Sequence, residues 1–72
     1  MDQYIINKNS QLNGDHEVHN KTKGCSYLPA LENQIVIGNF YYFQQAVGQA
    51  KATWPTHKIN GCYWCSTACH TS

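Results

Sequence analysis

The chain has 72 residues, a net charge of +1, and five lysines as its only fixed cations. A chain this short forms one domain (1–72) whose core is marginal unless something staples it; its two Trp, five Tyr and two Phe exclude a disordered tail. The absence of arginine speaks against a domain built to grip a nucleic-acid backbone, and no apolar run approaches the ~20 residues of a membrane span.

In chain order, "QYIINK" predicts a first strand through Tyr4, Ile5 and Ile6. "NSQLNGD" is turn-rich, and Asn13-Gly14 is a reversal signal, so "HEVH" resumes as the second strand of a hairpin. "NKTKG" is a polar loop that delivers Cys25, and Pro29 argues against a helix in "SYLPALEN". "QIVIGNF" predicts a third strand. In "YYFQQAVGQAKAT", Phe43, Ala46, Val47 and Ala50 recur at i, i+3, i+4 and i+7, the pattern of one buried helix face, and Pro55 marks the end. "THKING" reads as loop. The expected fold class is α+β: about three antiparallel strands packed on one helix, stabilised by zinc, with a C-terminal C-x2-C knuckle.

Three of the four cysteines close the chain in "GCYWCSTACHTS", while Cys25 lies far upstream. Cys62 and Cys65 have the spacing that lets a tight turn aim both sulfurs at one ion, yet tetrahedral zinc needs four ligands. Cys25 with a nearby histidine supplies the other half. If "HEVH" is extended, Val18 and His16 share one face and Glu17 and His19 the other. Val18 belongs in the core, so His19, nearer Cys25, is the better ligand, and Glu17 or Asp15 is placed to accept from the ring's second nitrogen. His16 and Cys69 are the substitutes: Cys69 either replaces His19 or stays a thiol. Zn2+ is the expected ion, since thiolate and imidazole together favour it.

The ordered segments "YIINKNS…VHNKTKGC…QIVIGNFYYFQQAVGQA…NGCYWC" resemble the Ada-like metal-binding domain, the small zinc domain of a bacterial DNA-repair regulator, and its short bacterial relatives. The resemblance implies metal ligands at His19, Cys25, Cys62 and Cys65. The family's methyl-accepting cysteine has its counterpart in His19, which has no thiolate, so methyl transfer is not expected. Tyr63 and Trp64 stand where the family carries basic residues.

Other chemistries fit less well. "HEVH" is one residue short of the i, i+4 histidine pair of zinc proteases. "CSTACH" has one residue too many for haem attachment, and "CYWC" lacks the strand and helix start of a thioredoxin-like dithiol. The aromatic run Phe40–Phe43 suits a small core better than a base-stacking platform with so few cations nearby. The four acids are scattered, and a filled metal site leaves no open position for bound water. The expectation is a monomeric, cytoplasmic, non-enzymatic structural zinc module that presents a surface to an unidentified macromolecular partner, with no membrane association. A thiol-based redox or metal-responsive protein is the alternative, and weak nucleic-acid (DNA) binding a further one. The cytoplasmic reading rests on an N-terminus without the layout of a secretory signal.

Overall fold

A computed structural model describes residues 1–12 and 14–62. It contains β1 (Asp2–Asn7), β2 (Asp15–Asn20), a 3-10 turn (Leu31–Asn33), β3 (Gln34–Phe40), α1 (Phe43–Thr53) and β4 (Lys58–Gly61). The strands form one mixed sheet in the order β3-β1-β2-β4. The α+β class stands. The three expected strands are antiparallel neighbours, and a fourth adds to them in parallel with β2.

That fourth strand corrects the reading of "THKING" as loop. "KING" has a single large apolar residue, Ile59, and no alternation to reveal it. Its strand character comes from pairing with β2, Asp15 opposite Lys58 through Val18 opposite Gly61. A parallel pairing needs a long crossover. The connection from β2 runs through the loop, β3 and α1 before β4 begins.

The hairpin joining β1 and β2 closes through hydrogen bonds from Gln11 N to Asp15 O (2.8 Å) and from Gly14 N to Gln11 O (2.9 Å). Gly14 has φ +90°, a conformation that residues with a Cβ avoid, which is why the reversal falls on a glycine.

Alternation then sorts the side chains between two faces. Tyr4, Ile6 and Val18 point to one face, where Ala46, Val47 and Ala50 of α1 pack on them. Phe43 joins this core with its ring edge-on to Tyr4, centroids 4.7 Å apart. The helical periodicity thus names the face that is buried. A bulge in the β1–β3 pairing pairs Tyr4 with Gly38 but Ile5 with Val36, leaving Ile37 as the extra residue. The extra residue shifts the alternation by one, so both Ile37 and, beyond the bulge, Phe40 reach the helix side. The N-terminus of α1 is closed by Gln45, whose Oε1 accepts from Tyr41 N (3.2 Å) and Tyr42 N (3.0 Å). Among the described residues no helix is long and apolar enough to cross a membrane.

Ile5 and His19 face each other across the β1–β2 pairing, and both are fully buried on the side of the sheet away from α1. This second buried layer is where Cys25 and Cys62 meet.

Candidate metal centre

His19, Cys25 and Cys62 form a group whose ligand atoms all lie within 4.8 Å of one another. Each comes from a different part of the chain, and a specific piece of backbone delivers each one.

His19 is fixed by alternation: with Val18 in the helix-side core, its ring turns to the other face, where it is buried. Its Nε2 is 3.9 Å from Glu17 Oε1, too far for a hydrogen bond but within electrostatic reach. Glu17 is thus the carboxylate beside the ring. Burial pushes the His19 pKa below its ordinary 6.5, because the charged imidazolium loses more solvation than the neutral ring. A neutral imidazole is the form that ligates metals.

Cys62 is fixed by β4. The parallel ladder extends one step beyond Gly61, through Cys62 N donating to Val18 O at 3.0 Å. Val18 pairs with Gly61, so the next residues along both strands, His19 and Cys62, stand side by side. Cys62 is 1 % exposed.

Cys25 is fixed by the loop after β2. Lys21 N donates to Gln3 O (2.9 Å), and Gln3 N donates to Thr22 Oγ1 (2.7 Å), which ties the loop to β1. Buried Asn20 accepts from Lys23 N through Oδ1 (3.0 Å) and donates to Asp2 Oδ2 (3.0 Å). Gly24, at φ +83°, then swings the chain round to Cys25. The Cys25 and Cys62 sulfurs end 3.9 Å apart. A disulfide requires about 2.05 Å. Two sulfurs bonded to one tetrahedral zinc at ~2.3 Å are about 3.8 Å apart. Three soft or borderline ligands with this spacing fit a zinc-type ion, and a carboxylate-preferring ion such as Mg2+ would find no oxygen set here.

Asn20 is a positioning residue that the sequence reading did not single out. An Asn at a strand end followed by polar residues is the signature of an Asx-type turn, and it was visible in "NKTKG". Asn20→Ala is expected to cost about 0.5–1.5 kcal/mol for each hydrogen bond lost, to Lys23 N and to Asp2 Oδ2. It should also weaken metal binding, because Cys25 loses its support. Denaturant midpoints and a competition titration with a metal indicator would check both effects.

His16, expected as a substitute ligand, does not belong to this group. The alternation that turns His19 one way turns His16 the other, where its Nδ1 lies 3.0 Å from Asn7 O and its ring stacks on His57 at 5.1 Å. Cys65 and Cys69, and with them the second half of the expected knuckle, lie outside the described residues.

Acidification gives a test of the group. Below about pH 6.5 the unfolded chain's histidine takes up a proton that the buried, ligand-ready His19 does not. The unfolded state then binds more protons, so stability falls as the pH drops, by up to about 1.36 kcal/mol per pH unit for this group. Proton competition for the thiolates adds to the same slope. Thermal melts of the metal-loaded protein between pH 7.5 and 5 should therefore show a falling midpoint that steepens below 6.5, and His19→Gln should remove the steepening.

No family model, no curated protein and no solved structure matches this chain.

Proposed function

We propose that this chain is a small structural zinc module of the Ada-like type, without enzymatic activity, which holds a surface in shape for a macromolecular partner. The observation that carries the reading is the convergence of His19 on β2, Cys25 in the loop that follows it, and Cys62 from beyond the distant β4. Two packed thiols alone would sit at a similar separation. A buried imidazole brought to the same point, with a carboxylate beside it, is what a metal centre adds.

Cys65 completes the tetrahedron in this reading, because C-x2-C spacing lets the sulfur two residues beyond Cys62's neighbour turn back to the same ion. With four protein ligands the ion is closed to substrate, and its part is to hold the fold. Tyr27, Leu31, Val36, Tyr41 and Tyr42 are large side chains left exposed, the chemistry a protein partner would use.

Cobalt substitution tests the ligand set. One Co2+ per chain should give the absorption of a tetrahedral thiolate complex with three sulfurs. Cys65→Ser should reduce the thiolate charge-transfer intensity and Cys69→Ser should leave it unchanged. An octahedral spectrum, or no uptake, would end the proposal.

A thiol-based reading is favoured by one distance, the 3.9 Å between Cys25 and Cys62. In the metal-free chain, hydrogen peroxide could oxidise the two thiols to a disulfide: the sulfurs give up two electrons and two protons, and the peroxide becomes two waters. Peptide mapping after mild peroxide would find the 25–62 link in this reading, and only sulfenic or sulfinic acid otherwise.

A further inference from the structure

On the helix side of the sheet, away from the thiols, lies an open hollow lined by Ile6, Asn7, Lys8, His16, Ile35, Trp54 and His57. We propose that His16 and His57 form a second, open metal site that takes a divalent transition ion such as Ni2+, Cu2+ or Zn2+ through two neutral imidazoles.

The tautomer of His16 is the first support. Its Nδ1 is 3.0 Å from the backbone oxygen of Asn7, and a carbonyl only accepts, so Nδ1 carries the proton. The lone pair is therefore on Nε2. A ring nitrogen donating to a backbone carbonyl while the other nitrogen is left to bind is the arrangement that metal-ligating histidines adopt.

The second support is the placement of the partner ring. His57 comes from the turn between α1 and β4, with its backbone N bonded to Trp54 O at 3.1 Å. Its ring centre is 5.1 Å from that of His16, with 25° between the planes. Two imidazoles bonded to one ion through nitrogen at ~2.0–2.1 Å, at a roughly tetrahedral angle, hold their ring centres about 5 Å apart. In the structure the two rings are stacked, and Ni2+ titration distinguishes a stack from a chelating pair.

The lining sets the chemical class. No carboxylate and no thiol lines the hollow among the described residues, so Ca2+ and Mg2+ have no ligands there, whereas imidazole suits Ni2+, Cu2+ and Zn2+. Two protein ligands leave the remaining positions to water, which makes this an exchangeable site, unlike the closed thiolate centre. Lys8 is the one cation in the lining. Its side chain is exposed and can turn to solvent, but it opposes a metal ion and would assist an anion.

The experiment is a Ni2+ titration of the full chain loaded with one equivalent of Zn2+, which occupies the thiolate centre, followed by imidazole NMR signals. One Ni2+ should broaden His16 and His57 together before His19. His16→Gln and His57→Gln should each lower the affinity at least about tenfold, since a chelate becomes a single-point contact. His57 is exposed, so its replacement leaves the fold intact even if that of His16 does not. Lys8→Gln should tighten Ni2+ binding. The proposal is overturned if Ni2+ leaves the two rings sharp, if it goes only to the thiols, or if either single variant binds as tightly as the parent. Weaker binding in Lys8→Gln, with phosphate broadening the same signals, would make the hollow an anion site instead.

Discussion

Removing the metal is expected to unfold this protein. In the reading proposed above, zinc joins a residue from the second strand, one from the following loop and one from the end of the fourth strand. A structural zinc contributes about 10–16 kcal/mol of apparent binding energy when its site exists only in the folded chain. A domain's whole stability is only about 5–15 kcal/mol, and a chain this short sits at the low end. Addition of a strong chelator should therefore abolish the dispersion of amide NMR signals and the native circular dichroism, and one equivalent of Zn2+ should restore both. A chain that keeps its native spectra with the metal demonstrably gone would show that burial alone suffices, and the structural role would be lost.

The physical reason to expect this lies in how the buried layers are divided. Among the described residues six are buried in the helix-side core, three of them from α1 and two of those alanines, with Ile37, Phe40, Phe43, Trp54 and Ile59 only partly buried around them. Such a core removes little apolar area from water, on the order of 25 cal/mol per Å², and ordering each residue costs about 1.5 kcal/mol against it. The opposite face has Ile5, His19 and Cys62 buried together, a small apolar layer with polar atoms inside it that are able to ligate a metal. Buried polar groups of that kind are costly unless something coordinates them.

Much of this was legible in the sequence, and the illegible part has a specific cause. Alternation in "HEVH" was enough to separate Val18 from His19, because a period of two puts neighbours on opposite faces. The i, i+3, i+4, i+7 pattern named Ala46, Val47 and Ala50, which are buried, and Phe43, which packs against them. The fourth strand was not legible. Ile59 is its only large apolar side chain, and a parallel edge strand is specified by its neighbour more than by its own residues. Missing it also hid the reason Cys62 meets His19, which is a ladder between strands far apart in sequence. The meeting of His16 and His57 was hidden for the same reason, since it too depends on where β4 begins.

Ile5→Ala is the other substitution with a large expected effect, and it connects the two faces of the argument. Ile5 is fully buried, lies directly opposite His19 on β2 and Val36 on β3, and belongs to the metal-side layer, outside the helix-side cluster. Truncating a buried Ile to Ala costs about 2–5 kcal/mol, the spread reflecting how far the surroundings collapse. If metal binding and folding are one process, that loss appears in the apparent metal affinity as well. Every 1.4 kcal/mol is a factor of ten, so the affinity should fall by roughly 30-fold to several thousand-fold although no ligand has been touched. Val36→Ala serves as the control: its side chain shares the face but is 56 % exposed, so both stability and affinity should change little. Excess Zn2+ should restore the fold of Ile5→Ala by mass action, with a midpoint that rises with metal concentration. An Ile5→Ala protein that loses stability yet binds zinc as tightly as the parent would mean that the site forms without the sheet beneath it, and the coupling between ion and fold would have to be abandoned.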